Sequence, residues 1–202
     1  MERSYEAAIV ANGVFPSHPT PLAILARVPH VIACDGAIRH VPHADAVVGD
    51  GDSVPVAYHD RLIRVEEQED NDLTKATRYC LSQGWKHIAY FGATGMREDH
   101  TLGNISLLMR YYRDFGIEGV MFTDYGFFTP MKGDHTFRSF AGQQVSIFNF
   151  GCSTLRSEGL RWDSYAYEQW WQGTLNEALS ACFTLHADGC YMVYQTWDGS
   201  RK

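Results

Sequence analysis

The chain has 202 residues, of which 45% are hydrophobic and 20% are charged, and its formal net charge is −7. These values predict a soluble globular protein with one large domain or two small ones. They argue against a nucleic-acid surface, which requires a basic face, and no apolar stretch approaches the length of a membrane span. Residues 1–6 lack the features of a signal peptide, and five cysteines without a Cys-x-x-Cys pair indicate reduced thiols in the cytoplasm.

The first half alternates short apolar runs, typical of buried strands, with helical patterns. The strands are predicted over residues 5–11, 31–34, 44–48, 62–65 and 87–91. The helices are predicted over residues 20–27 and 73–81, and from the segment after the fifth strand through Arg113. Thr20 is expected to cap the first helix and Asp72 the second, although Asn71 is also a suitable cap. Residues just beyond the strands' carboxyl ends lie where such sheets bind ligands.

The third strand ends in two carboxylates, Asp50 and Asp52, which are separated by one glycine. Acids at i and i+2 repel each other, and burial of either one alone raises its pKa or costs about several kcal/mol. Mg²⁺ removes that cost, because it is commonly held by one or two carboxylates together with substrate phosphates. A polar turn with solvated acids explains this tripeptide equally well when it is taken alone. The other strand ends decide between the two interpretations.

Two of those strand ends are also acidic. Asp35 and Gly36 follow the second strand, where an ordinary turn is the simpler interpretation and a following helix would attract phosphate oxygens. The fourth strand leads into a run from Glu66 to Asp72 that is almost entirely acidic or amide-bearing. Such a run repels itself unless a metal or a cationic partner is present. These segments favour a metal and phosphate site over solvated turns.

The fifth strand is followed by a glycine-rich segment and a long helix. Gly92 and Gly95 let the backbone approach a bulky anion, while Thr94 and the helix N-terminus offer donors. Arg97 has the geometry to bind phosphate oxygens in pairs, whereas Asp99 is explained by the helix dipole alone. No Walker A or Gly-x-Gly-x-x-Gly motif occurs in the sequence. The buried face of the helix is predicted to carry Leu102, Ile105, Leu108, Met109 and Tyr112.

From Gly119 the pattern changes to short aromatic and β-branched runs without a convincing helix. Strands are predicted over residues 120–125, 127–131, 135–140, 144–150, 181–186 and 190–196. Asp188 and Gly189 predict a hairpin turn between the last two. The change predicts a three-layer α/β domain with a mostly parallel sheet over residues 1–120, then an all-β sandwich, or alternatively a barrel, over 121–202.

Four strand-end motifs in this order closely resemble thiamine pyrophosphokinases over essentially the whole chain. The motifs occupy residues 35–37, 49–53, 68–76 and 92–104. The resemblance implies transfer of the pyrophosphoryl group of ATP to the hydroxyl of thiamine, with Mg²⁺ as the metal and AMP as the second product. It also implies a homodimer with active sites between subunits, in which the β domain contributes the thiamine pocket.

The resemblance also implies a role for individual positions. The catalytic acids would be Asp50, Asp52, Asp72 and Asp99, of which the first three would hold the metal. The ATP-binding residues would be Asp35, Gly36, Ser53, Gly92, Thr94, Gly95, Arg97, His100 and Asn104. Trp162, in a Gly-Leu-Arg-Trp stretch, would stack on thiamine, and Asn176 would be a second thiamine residue. Either Asp72 or Asp99 would handle the proton of the hydroxyl, and His100 is equally well explained as structural.

Three positions depart from the family pattern. Asn71 stands where Thr is usual, Met96 where Gly is common, and Leu175 where Ser is usual. Trp170 and Trp171 are expected to pack in the sandwich core rather than to line a pocket.

Two other functions are compatible with the same acids. A Mg²⁺-dependent phosphohydrolase would use water as the nucleophile, but it gives Trp162 and the β domain no task. A non-catalytic protein that binds a nucleotide or thiamine is the second alternative, for which the three departures leave room.

Overall fold

The computed structural model describes residues 4–67 and 69–199. The chain divides into two compact units between Asp124 and Tyr125. Gln68, which belongs to the third predicted motif, lies outside the described residues. In the described parts of the chain, no helix is long and apolar enough to cross a membrane.

The first unit is built on a parallel sheet, which confirms the predicted α/β class. Within the described residues up to Asp124, its strands are β1 Ala7–Val10, β2 His30–Cys34, β3 Ala46–Gly49, β4 Leu62–Arg64, β5 His87–Phe91 and β6 Glu118–Phe122. All neighbouring pairs are parallel, in the order β6-β5-β1-β2-β3-β4. The strand order therefore reverses between β1 and β5, and sheets of this type bind ligands beyond that reversal.

Buried aliphatic side chains fix the central strands. Ile9, Ile32 and Ile88 are completely buried on β1, β2 and β5. Burying a side chain of this size stabilises the fold by about 1.5–3 kcal/mol. The loops that leave the carboxyl ends of these strands therefore begin from fixed positions.

The helices of this unit begin at different residues from those predicted. They are α1 Pro19–Leu25, α2 Asp72–Ser82 and α3 Glu98–Phe115. His18, not Thr20, caps α1, because its side chain accepts a hydrogen bond from the Thr20 N–H. Asn71, not Asp72, caps α2, and its Oδ1 accepts the Thr74 N–H at 3.0 Å. The Asp72 carboxylate is therefore not used to cap the helix.

Two buried hydroxyl contacts hold α2 in place. Thr74 Oγ1 lies 2.6 Å from the Tyr111 hydroxyl on α3, and Thr77 Oγ1 lies 3.2 Å from the Tyr90 hydroxyl on β5. All four groups lie in the interior, where an unpaired hydroxyl costs about 1–3 kcal/mol. These contacts fix the start of α2 relative to the strand and helix beside it.

The second unit is an antiparallel sandwich, which confirms the predicted all-β region. Within residues 125–199, its strands are β7 Gly126–Lys132, β8 His135–Arg138, β9 Gln143–Asn149, β10 Leu155–Glu158, β11 Asn176–Glu177, β12 Cys182–Ala187 and β13 Cys190–Gly199. One sheet has the order β11-β9-β13-β7 and the other the order β10-β12-β8. Phe137 and Phe183 from one sheet pack in a common core with Ile147 and Tyr191 from the other.

Three strands differ from the sequence prediction. The run predicted over residues 120–125 forms β6, which pairs in parallel with β5 and belongs to the first unit. Its composition resembles that of the strands after it, so composition alone cannot assign it. β10 and β11 were not predicted, because Leu-Arg-Ser-Glu is mostly polar and the second strand is only two residues long.

Candidate active site

A cleft of about 410 Å³ opens beyond the carboxyl ends of β1, β2 and β5. Small-molecule sites commonly have volumes of about 300–1,000 Å³. The cleft lies at the reversal of strand order described above, and the segments before α2 and α3 complete its wall. Its lining includes eight predicted site residues: Asp35, Ser53, Asp72, Gly92, Thr94, Arg97, His100 and Asn104. Asn71 and Met96, two of the positions that depart from the family pattern, also line it.

The loops after β1 and β5 touch through their backbones at the base of the cleft. The Gly13 N–H donates to the Gly92 carbonyl at 2.7 Å. A Cβ atom on Gly13 would lie 2.4 Å from that carbonyl oxygen, and one on Gly92 would lie 2.4 Å from the carbonyl oxygen of Ala11. Both positions therefore require glycine. At Gly92 the reason is contact between the loops after β1 and β5, whereas the sequence suggested the approach of an anion.

Asparagine side chains connect the starts of the two helices. Asn71 Nδ2 donates to Asn104 Oδ1 at 3.0 Å, and Asn104 Nδ2 donates to the Ala93 carbonyl at 2.7 Å. Asn104 is 9% exposed, whereas the predicted helix-face residue Leu102 is 56% exposed. The buried face of α3 thus includes a polar residue, and the prediction for Leu102 is wrong. Asn104, a predicted ATP-binding residue, thus supports the wall of the cleft through its hydrogen bonds with Asn71 and Ala93.

Asp72 is half-buried in the cleft and lies beside a buried lysine. Lys75 Nζ is 3.5 Å from Asp72 Oδ1, and the lysine side chain is 4% exposed. Burial raises the pKa of Asp72 above its usual range, while the Lys75 ammonium opposes this shift and the carboxylates of Asp35 and Asp50 add to it. Lys75 was not predicted as a site residue, although its position three residues after an acid at a helix start was a usable signal.

The structure does not place all the predicted acids on the wall of the cleft. Asp50 is half-buried and Asp52 is exposed, and Asp50 Oδ1 accepts the Asp52 N–H at 3.1 Å. The residues that line the described cleft include Asp35 and Asp72 but not these two, nor Asp99, Gly36 or Gly95. Among the described residues, no three His, Cys, Asp or Glu side chains form a group able to hold a metal ion by themselves.

Arg97 and Asp99 form an exposed pair at the start of α3. Arg97 Nε donates to Asp99 Oδ1 at 3.1 Å, and Nη2 donates to Oδ2. These hydrogen bonds hold the pKa of Asp99 below its usual range. The two side chains are 73% and 62% exposed, so the guanidinium remains accessible to an anion in the cleft.

The two predicted thiamine residues lie together in the second unit. Asn176 Oδ1 accepts the Trp162 N–H at 3.2 Å, and Asn176 Nδ2 donates to the Trp162 carbonyl at 2.8 Å. Asn176 is 5% exposed and Trp162 is 54% exposed, and the Arg161 guanidinium lies 5.3 Å from the centroid of the indole. Asn176 therefore fixes the backbone from which the Trp162 ring projects.

Neither of the neighbouring tryptophans belongs to the buried core of the sandwich, which overturns the expectation for both. Trp171 is 73% exposed. Trp170 is 40% exposed and packs its ring against Phe148 and Phe150 at centroid distances of 5.8 and 5.4 Å. Both residues lie in a short 3₁₀ turn, Trp170–Gly173, whose exposure the aromatic composition did not reveal.

Two sequence profiles of one family match the chain in succession. The thiamin pyrophosphokinase catalytic domain matches residues 23–119, and the thiamin pyrophosphokinase substrate-binding domain matches residues 126–194. Together these ranges cover most of the 202 residues. No curated protein sequence matches the chain.

Solved structures of similar fold carry the same family name. Thiamine pyrophosphokinase from Bacillus subtilis is 19% identical, with a TM-score of 0.78 over 95% of this chain and 99% of that one. The Candida albicans protein is 14% identical, with a TM-score of 0.77 over 96% and 90%. The yeast protein is 13% identical, with a TM-score of 0.78 over 96% and 87%. At these identities the likeness establishes the fold.

Proposed function

The chain belongs to the thiamine pyrophosphokinase family, and we propose that its cleft is where ATP and a magnesium ion bind for the family's reaction. Its activity is the transfer of a pyrophosphoryl group to the hydroxyl of thiamine, since it carries both the catalytic and the substrate-binding domain. The observation that carries the proposed site is the cleft at the reversal of strand order, with Asp72 and Arg97 on its wall.

The residues present fit a Mg²⁺ ion that is shared with substrate phosphates. The carboxylates of Asp35 and Asp50 are close enough to raise the pKa of Asp72, so negative charge accumulates here. Carboxylate oxygens are suitable magnesium ligands, and one or two of them suffice when phosphates supply the others. Asp50, Asp52 and Asp72 are the proposed ligands. Such an ion would neutralise charge on the polyphosphate oxygens as the bond to the leaving AMP breaks.

The protein's own groups then position the two reactants. Arg97 exchanges its exposed carboxylate partner for phosphate oxygens, and this costs little because exposed ion pairs are weak. The backbone of residues 92–95 and the N-terminus of α3 supply further donors. Either Asp72 or Asp99 orients the thiamine hydroxyl for in-line attack.

Thiamine recognition is proposed for the second unit. Trp162 is exposed, and tryptophan attracts a cationic heterocycle more strongly than the other aromatic side chains do. Large exposed hydrophobic residues concentrate in one stretch of this unit: Trp162, Tyr165, Trp170, Trp171, Leu175 and Leu179. Such surfaces commonly mark interaction sites, so a homodimer with active sites between subunits is proposed. Light scattering that gives a mass near 22.8 kDa, that of one chain, would contradict it.

A cytoplasmic location is also proposed. All five cysteines are thiols without a disulfide partner, and four of them are buried. Reduced thiols are usual in the cytoplasm, whereas secreted proteins commonly form disulfides.

An assay with ATP, Mg²⁺ and thiamine tests the proposed reaction directly. We expect AMP and thiamine diphosphate in equal amounts, and no product when Mg²⁺ is chelated. Release of inorganic phosphate without thiamine diphosphate would favour the phosphohydrolase. Calorimetric binding of thiamine without turnover at any Mg²⁺ concentration would favour the non-catalytic protein.

A further inference from the structure

The segment after β2 holds the loop after β3 through one carboxylate. Asp35 is 8% exposed, and within the described chain its oxygens accept three hydrogen bonds from that loop. Oδ1 accepts the Gly51 N–H at 3.1 Å, while Oδ2 accepts the Ser53 N–H at 3.3 Å and the Ser53 hydroxyl at 2.7 Å. Asp35 begins a 3₁₀ turn, Asp35–Arg39, and Arg39 at its end donates to the Ser53 carbonyl at 3.2 Å.

Two glycines make room for this contact, one on each side. A Cβ atom on Gly49 would lie 2.8 Å from Asp35 Oδ1, and one on Gly36 would lie 2.8 Å from the Ser53 hydroxyl oxygen. Any larger residue at either position would push the carboxylate and the loop apart. Gly49 therefore admits the side chain of Asp35, and Gly36, a predicted ATP-binding residue, admits the side chain of Ser53.

The backbone of Asp35 is also unusual. Its φ angle is 44°, in the left-handed region, which non-glycine residues seldom adopt and which aspartate and asparagine tolerate best. Backbone strain of this kind persists where surrounding contacts enforce it, and it concentrates at functional sites. Here the three hydrogen bonds to the loop are contacts that enforce it.

We infer that Asp35 is a positioning residue, which fixes the loop carrying Asp50 and Asp52 and does not itself bind the nucleotide. Gly51 lies between the two acids and Ser53 directly follows the second, so holding these residues fixes the backbone on both sides of Asp52. Without these hydrogen bonds the loop would be free to move, and repulsion would separate the carboxylates of Asp50 and Asp52. The inference rests on the proposed function, because it takes Asp50 and Asp52 as the metal ligands.

Asp35→Asn tests the inference with little change of shape. Asparagine tolerates the left-handed backbone but accepts with only one side-chain oxygen, so one part of the hold is lost. Amide exchange followed by NMR should accelerate about tenfold or more at Gly51 and Ser53 and stay unchanged at Ile32 and Val47. Calorimetric titration of Mg²⁺ with saturating α,β-methylene ATP should show affinity for the metal weakened by about 10- to 100-fold.

Two further variants make the test specific. Ser53→Ala removes one of the three hydrogen bonds and should shift both measurements in the same direction by a smaller factor, which decides the question if Asp35→Asn does not fold. Asp45→Asn is the matched control, because Asp45 accepts the Val31 N–H at 2.8 Å on the same sheet but lies outside the cleft lining. It should leave loop exchange and Mg²⁺ affinity unchanged.

Three results would overturn the inference. Wild-type protection of Gly51 and Ser53 in Asp35→Asn would show that the carboxylate does not hold the loop. Unchanged Mg²⁺ affinity together with weaker binding of the analogue would show a direct nucleotide contact. No shift in either measurement for Ser53→Ala would contradict the hydrogen-bond network. Failure of the proposed function is seen separately, as absence of Mg²⁺-dependent analogue binding by the wild-type chain.

Discussion

The two units differ in how far buried side chains support their proposed sites. In the first, Asp35, Lys75 and Asn104 are buried and bonded to neighbouring groups, so the cleft is braced within a single chain. In the second, the rings of Trp162 and Trp171 are 54% and 73% exposed. The half proposed to handle phosphate is thus organised in advance, whereas the half proposed to handle thiamine presents apolar surface that a ligand or a second chain must cover.

The chemistry of the two substrates accounts for this difference. Phosphate groups are charged and strongly hydrated, so a site that rearranges around them loses much of its electrostatic advantage, and fixed donors are more effective. An apolar ring is favoured by burial itself, which is non-directional and tolerates a more open starting surface. The same reasoning predicts that changes in the first unit impair turnover most strongly and that changes in the second act on thiamine alone.

The largest effect is expected for Asp52→Asn. Its side chain is exposed, so the loss of charge should leave the fold intact while it removes a proposed metal ligand. We expect kcat to fall about 10²- to 10³-fold, which is typical of removing one group that stabilises transition-state charge. Steady-state kinetics with saturating ATP, Mg²⁺ and thiamine measure this effect, and thermal unfolding should be unchanged.

Asp60→Asn is the matched control, because Asp60 is another exposed acid in the 3₁₀ turn Val56–Arg61 that follows the loop. Its kcat should equal that of the wild type. If Asp52→Asn retained activity within about tenfold, or about 1.4 kcal/mol of barrier, the metal role of Asp52 would be wrong.

The sequence predicted the fold because the relevant signals are local. Apolar runs that end in polar residues identify strands within a few positions, and β5 spans the same residues as its prediction, 87–91. The loss of helical patterns after Gly119 identified the all-β part, but the hairpin predicted at Asp188 and Gly189 is wrong, because β12 and β13 lie in different sheets. The two family profiles match the same two parts of the chain, and such a match also requires no knowledge of which residues are in contact.

Contacts between distant residues could not be predicted in this way. Asn71 and Asp72 are both good caps, and the choice agrees with a hydrogen bond from Asn71 to Asn104, 33 positions later. The i, i+3 spacing indicates that Lys75 can contact Asp72, but no local pattern reveals that Lys75 is buried or that the Asp35 carboxylate reaches the next loop. These contacts depend on the order of strands in the sheet, which brings segments far apart in the sequence together.

A smaller and more selective effect is expected for Trp162→Ala. Loss of the indole removes stacking and cation–π attraction, so the KM for thiamine should rise about 10- to 30-fold, while the KM for ATP changes less than about twofold. Trp85→Ala is the control, since this ring stacks on His30 in the first unit at a centroid distance of 4.3 Å. Equal losses for both substrates would contradict the division of labour between the units.

The Asn176 side chain, which holds the backbone of Trp162, allows a test of whether the position of the Trp162 ring matters for thiamine binding. Asn176→Asp keeps an acceptor for the Trp162 N–H but replaces the donor to the Trp162 carbonyl with a second oxygen. We expect the KM for thiamine to rise about three- to tenfold, less than for loss of the ring itself. In a Trp162→Ala background the same change should have no further effect, because Asn176 acts through the ring. Additive losses would instead indicate that Asn176 contacts thiamine directly, as the family resemblance implies.

The smallest effect is expected away from both sites, at His186 in the second unit. Its Nδ1 lies 2.9 Å from Asp134 Oδ2 and its Nε2 lies 3.5 Å from Glu158 Oε1. The hydrogen bond with Asp134 raises the pKa of His186 and lowers that of Asp134, whereas nearby Arg156 opposes the first shift and adds to the second. The histidine contribution is therefore complete below its unfolded pKa of about 6.5 and is lost as pH rises through the higher folded pKa. The aspartate contribution is lost as pH falls through its depressed folded pKa.

The Tm of the wild type should consequently exceed that of His186→Gln by the largest margin between about pH 4 and 6.5, and the margin should shrink above that range. Because the carboxylates of Asp134 and Glu158 are mostly exposed, the margin should be small, and about 1 M salt should reduce it further. A margin that stays constant from pH 5 to 9 would contradict the ion pair. The kinetic constants for ATP and thiamine should not change, because His186 acts on the stability of one sheet and touches neither proposed substrate site. A change in either constant would mean that substrate binding also depends on residues outside the cleft and outside the exposed hydrophobic stretch that includes Trp162.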